Sequence, residues 1–183
     1  GMNCMKAVVL AIFALFSAEV FSEIEPLEPD EGYVVIALYS KGYSESIVLE
    51  GTGLMDKYNF GPLNYSQHIE VMKMPAGNYS WNEVYERSGS LQQNNLLKVY
   101  YDLSDNNLNF TVKPGVLNYT GLLMIERLGR QLQVRQLNRA SIILKILEQD
   151  HPGYIENFEV VNGLYPNDHY IDFYLTHSSK EGE

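Results

Sequence analysis

The chain has 183 residues, 45% of them hydrophobic and 20% charged, enough to bury a core and too apolar for a disordered polymer. A formal charge of -10 sets it against nucleic acid and anionic lipid surfaces, because binding phosphate needs clustered Lys and Arg. The single cysteine, Cys4, leaves no disulfide framework and no set of thiolate metal ligands.

Near the N-terminus one basic residue, Lys6, precedes the apolar run Ala7 to Phe16, AVVLAIFALF. That run is too short to span a bilayer and suits the core of a secretory signal. Cleavage is expected after Ser22, making 1–22 a signal peptide and leaving a thiol-free mature chain in the periplasm or outside the cell. Cys4 lies before the apolar run, not after it, where a lipoprotein signal carries its lipidated cysteine. No stable membrane insertion is expected once the signal is gone.

An acidic linker is expected over 23–32, EIEPLEPDEG, followed by one domain over 33–183. Tyr33 to Tyr39, YVVIALY, reads as a strand bounded by glycine and polar residues, and Ser46 to Glu50 as a second, shorter one. Asp56 to Ser66 reads as a loop or a broken strand. In His68 to Met74, HIEVMKM, alternation places Ile69, Val71 and Lys73 on one face.

The phrase MPAGNYSW, residues 74–81, has an echo in KPGVLNYT, residues 113–120. Proline lacks an amide proton and ends a ladder, and glycine accepts the positive φ of a tight turn. Each phrase is therefore expected to punctuate a hairpin. After the first, Tyr79, Trp81 and Glu83 should share one face; after the second, Val116 to Glu126 should form one long return strand. Leu96 to Leu103, Leu108 to Val112 and Gln131 to Leu137 complete about seven or eight strands, the count of a sandwich or barrel. The period then becomes helical near 139–150, with Asn138 as N-cap, a face of Ile143, Ile146 and Leu147, and Pro152–Gly153 as the stop. A last apolar run, Tyr170 to Leu175, precedes a polar end. The expected fold is mainly β: an antiparallel β-sandwich with one C-terminal helix.

The phrase MPAGNYSW resembles the Pro-Ala-Gly-x-Tyr hairpin of prealbumin-like and Cna-B-like β-sandwich modules. The order YVVIALY, MPAGNYSW, NFTVKPGVLNYTGLLMI and a helix ending His151–Pro152 is similar to that of small exported bacterial proteins of unknown function. In them a strand ending Val-x-Pro-Gly precedes a Tyr-x-Gly strand, here Val112 to Gly115 and Tyr119 to Gly121. The resemblance spans roughly residues 33–155. It implies a fold and a compartment, and brings no catalytic residues.

No motif selects a chemistry. Asp150, His151, Asp168, His169, Asp172 and His177 could hold a metal or share a proton, yet they show no HxH or HExxH spacing. Ordinary solvated loop residues are expected there. The polar turn Ser88–Gly89–Ser90 is no G-x-S-x-G nucleophile elbow. Gly51–Thr52–Gly53 lacks the lysine and helix start of a phosphate loop. Sequons stand at Asn64, Asn78, Asn109 and Asn118, most of them reading as hairpin and strand residues.

Fourteen tyrosines combine flat apolar faces with polar tips, which suits either a core or a binding face. Tyr58, Tyr65, Tyr79, Trp81 and Tyr85 are the candidate ligand-binding residues. The expected function is non-enzymatic binding of an envelope protein or other envelope component, by a monomer or homodimer with no cofactor, no metal and no nucleic acid. The alternative is a small-ligand carrier with a lipocalin-like closed barrel, although the early G-x-W signature is absent.

Overall fold

The computed structural model of the chain describes residues 24–88, 97–164 and 170–178. The expected signal peptide, 1–22, lies outside the described residues. Eleven strands, three α-helices and one short 3-10 helix (Ser104–Asn106) are present among those described. β1 (Glu31–Ser44) is the spine of one sheet, here sheet A. It pairs antiparallel with β4 (Leu63–Pro75) on one side. On the other side it runs parallel to β8 (Leu117–Tyr119) and then β9 (Leu122–Leu128). β10 (Gln131–Leu137) and β11 (Val160–Asn162) extend the sheet beyond β9 and β8.

Sheet B is built on β5 (Gly77–Ser88). β2 (Ser46–Gly51) and β3 (Lys57–Phe60) lie on one side of it. β6 (Leu97–Asp102) and β7 (Asn109–Val112) share the other side. The two sheets pack face to face, as a mainly β sandwich should.

A third layer covers the back of sheet A. α1 (Ala140–Asp150), α2 (Pro152–Asn157) and α3 (Tyr170–Ser178) lie there. β1 is therefore buried on both faces. Val34, Ile36 and Leu38 enter the core between the sheets, while Tyr33, Val35 and Ala37 enter the core beneath the helices. This explains why YVVIALY is a continuous apolar run and not an alternating one. The expected single helix is thus one of three, and the apolar run at Tyr170 is helical. Pro152 both ends α1 and opens α2 at its first turn. The buried face of α1 is Ala140, Ile143, Leu144 and Leu147, with Ile146 at its margin. The N-cap is Arg139, and Asn138 Oδ1 instead accepts the Ala140 amide at 3.4 Å.

The paired proline phrases are not hairpins. β4 belongs to sheet A and β5 to sheet B, so Pro75–Gly77 carries the chain across the sandwich. Lys113–Val116 carries it back, from β7 in sheet B to β8 in sheet A. The two corners stack at one end, tied to the start of β1 by Ala76 N–H to Asp30 O (2.7 Å) and Gly115 N–H to Glu31 O (2.9 Å). Crossing at this corner, not turning back, brings β8 alongside β1 in the same direction. Sheet A is consequently mixed, where an antiparallel sandwich was expected.

The long return strand breaks at Gly121, whose φ is +78°. Across the break Thr120 Oγ1 donates to Val35 O at 2.6 Å. The acidic segment is no free linker. Ile24 and Leu27 pack on the helix-side core, and the Tyr33 hydroxyl donates to Glu25 O. The described strands form no closed barrel of the lipocalin-like kind: they make two separate sheets, and aromatic and aliphatic side chains fill the space between them.

Candidate functional site: the open face of sheet B

The two sheets differ in cover. The helices roof the outer face of sheet A over the first half of β1, β8 and β11, whereas no described helix covers the outer face of sheet B. That face is set by the pairing of β5 with its neighbours and by one irregularity. Trp81 opposes Leu49 and Glu83 opposes Val48, so Asn82 is an extra residue, a β-bulge. Tyr79 and Trp81 point inward before it, and Val84 and Glu86 after it. The bulge therefore turns Glu83 and Tyr85 outward, correcting the expectation that Glu83 shares a face with Tyr79 and Trp81.

Tyr85 opposes Tyr100 of β6, their ring centroids 5.2 Å apart. The Tyr85 hydroxyl donates to one Glu83 oxygen at 2.7 Å and the Tyr100 hydroxyl to the other at 3.4 Å. The Lys98 ammonium sits 4.1 Å above the Tyr85 ring. The Glu83 hydrogen bond raises the Tyr85 phenol above its ordinary pKa, and desolvation, then Glu83, does the same for Tyr100. Towards β3, Glu50 takes the Lys57 ammonium at 2.9 Å and the Asn82 amide at 2.8 Å, which together lower its pKa.

Further along, two sequons face one another. Asn78 opposes Thr111 and Ser80 opposes Asn109. Thr111 Oγ1 donates to Asn78 Oδ1 at 2.8 Å, and Ser80 Oγ to Asn109 Oδ1 at 2.5 Å. These four side chains form the lip of a groove of about 660 Å³ at the β7–β11 side of the sandwich, which Phe110, Lys113 and Leu164 also line. Its size is that of a small-ligand site. The third sequon is structural: Asn118, fully buried, accepts the Lys113 amide and donates to the Lys113 and Tyr33 carbonyls. At the fourth, the Ser66 hydroxyl accepts the Asn64 amide.

The five expected binding residues do not share this face. Tyr79 and Trp81, 2% and 3% exposed, are core side chains, Tyr79 stacked on Phe110 at 5.7 Å and Trp81 5.6 Å from Phe60. They turn inward because they precede the bulge. Tyr58 is half-buried against Tyr79, and burial foremost raises its phenol. Tyr65 is exposed, but on β4 of the other sheet. Tyr85 alone lies on the open face, with Tyr100, Glu83 and Lys98, which composition and spacing did not single out. A cross-strand register for β5 and β6 would have found them.

Asp150 and His151 stand at the C-terminal end of α1, where His151 packs beside Tyr154, and Asp172 stands in α3. Asp168, His169 and the His177 side chain lie outside the described residues, as do Gly89 and Ser90. Among the described residues no three His, Cys, Asp or Glu side chains stand together as a metal set. Gly51–Thr52–Gly53 is spent on a tight turn, the Gly53 amide donating to Asp56 Oδ2 at 3.1 Å. No described helix is long and apolar enough to cross a membrane. Set against known proteins, the sequence matches no family model and no curated protein.

Proposed function

We propose that the protein is an exported, non-catalytic binding module that holds a component of the cell envelope on the open face of sheet B. Export follows from Lys6 and the apolar run behind it, and from the likeness to small exported bacterial proteins with prealbumin-like sandwiches. The observation that carries the binding role is that, among the described residues, the helices cover sheet A and leave the outer face of sheet B open. Where the helices bury the outer face of sheet A around β1 and β8, sheet B presents a fixed array of phenols, amides and ion pairs that ends in a groove. Polar groups held this way on a rigid sheet suit recognition.

The test is co-sedimentation of the exported protein with purified cell-wall material and, separately, with membrane vesicles. At least one fraction should retain the protein. Tyr100→Ala should lower the retained amount, while Ile142→Ala, on the exposed side of α1, should leave it unchanged. Retention by neither fraction, or an equal loss in both variants, would overturn the reading.

A further inference from the structure

We infer that the occupant of this face is an uncharged glycan strand, an inference that rests on the face being the ligand surface. The first support is a prepared stacking platform. Tyr100 is 50% exposed, yet its ring is held against Tyr85 and its hydroxyl is aimed at Glu83. A ring already fixed loses little freedom when a pyranose lies on it, and its polar tip stays wet.

The second is hydrogen-bonding polarity. In the sequon square the Ser80 and Thr111 hydroxyl protons point into the amide oxygens of Asn109 and Asn78. The amide N–H groups of Asn78 and Asn109 are then left for a ligand's hydroxyl or acetamido oxygens.

The third is charge. The whole chain carries -10, but on this face Glu45 pairs with Arg87 and Glu50 with Lys57. Glu83 lies beneath two phenols, one of them capped by Lys98, and Asp102 accepts the Ser104 amide. A charged polymer would compete with the contacts of Arg87, Lys57 and Lys98, and a neutral one would not; Asp102 and the groove's Lys113 are the charges outside these ion contacts.

A protein partner fits less well. A standard interface buries about 800 Å² a side around an apolar core depleted in charge. Among the described residues, Tyr100 is the one exposed large apolar side chain on this face; Leu54 and Met55 tip the β2–β3 hairpin, Leu128 ends β9 and Ile142 is on α1. Length also favours a strand. From Asn78 to Tyr85 the chain advances about 3.3 Å per residue, so groove and platform are roughly 20 Å apart, several sugar rings in line.

The experiment is isothermal titration of the exported protein with three neutral pentasaccharides: cellopentaose, maltopentaose and the β-1,4-linked N-acetylglucosamine pentamer. Their monosaccharides and an oligogalacturonate serve as comparators. At least one pentamer should bind more tightly than its monomer and than the acidic oligomer. Tyr100→Ala should weaken it about tenfold, and Tyr100→Phe, which keeps the ring, by about twofold or less. Thermal melting checks that both variants fold. If no neutral pentamer binds while Tyr100→Ala still reduces retention by envelope fractions, the glycan inference fails and the face stands. If that retention is indifferent to Tyr100→Ala, both fail. Tighter binding of the acidic oligomer, or equal weakening by Phe and Ala, also overturns the inference.

Discussion

Replacing Asn118 by alanine should unlatch the second sheet-crossing corner. This one side chain accepts the Lys113 amide at 2.8 Å and donates to the Lys113 carbonyl at 2.9 Å and the Tyr33 carbonyl at 3.0 Å. A further contact to Val116 O at 3.4 Å is too long to count for much. The residue is fully buried, so little water can replace it. Three well-formed bonds at about 1 kcal/mol each give a loss of about 3 kcal/mol. For a chain of this size that is a fall in Tm of roughly 6–12 °C. Asn118→Asp sharpens the argument. It keeps an acceptor for the Lys113 amide but sets a carboxylate oxygen against two carbonyls, so it should cost more than alanine at pH 7. Burial among carbonyls raises the folded-state pKa of that Asp above its unfolded value. The native state then holds its proton more tightly, and the excess penalty should shrink as pH falls towards about 4. Urea unfolding at pH 7 and at pH 4.5 measures both effects. A cost below about 1 kcal/mol for alanine, or an aspartate variant no worse than alanine at pH 7, would refute the latch.

Other consequences are open to the same kind of measurement. Gly32→Ala would place a Cβ 2.3 Å from Lys113 O and 2.8 Å from Asn118 Nδ2, both parts of that latch. It should cost about 2–3 kcal/mol by denaturant titration. Glu86, 6% exposed, pairs with Arg127 across the two sheets. Arg127→Met should cost about 1–3 kcal/mol, because Arg127 is itself 42% exposed, and Glu86→Leu with Arg127→Met should cost less than Arg127→Met alone. Burial pushes the Tyr119 phenol up to about 12 and holds Tyr79 higher still. Both protons are bound more tightly in the native state, so the contribution of these two phenols to stability should be constant below pH 10 and fall between pH 10 and 12. Phenolate absorbance should show these two rings ionising only with alkaline unfolding; ionisation near pH 10 in the folded protein would contradict their placement.

The sequence revealed the inventory of this fold better than its connections. A β-branched and aromatic run located β1, a short apolar run bounded by glycine located β2, and alternation located the second half of β4 and β10, because these strands carry their own pattern. The proline phrases were legible as corners, but whether a corner turns back or crosses depends on which sheet receives the next strand, and that is decided by contacts far along the chain. The same holds for α3: YIDFYL suits a strand by composition, and its helix is chosen by packing against the back of sheet A. In the candidate site the deciding residue is Asn82. Strict alternation places Tyr79, Trp81 and Glu83 together; one inserted residue sends Glu83 outward and keeps the two rings inside. A bulge leaves no mark in a single strand's pattern, because it exists only relative to the partner strand. Tyr100 stayed unseen for the same reason, since its meaning comes from standing opposite Tyr85.

The most direct measurement is amide chemical-shift mapping of the isotopically labelled protein during titration with solubilised envelope material. The account predicts perturbed amides along β5, β6 and β7, centred on Tyr85, Tyr100, Asn78 and Asn109, with the helices on sheet A unmoved. Perturbations confined to α1, α2 and α3 or to the β4 edge, or none at saturating material, would contradict the claim that the open face of sheet B is where this protein meets its ligand.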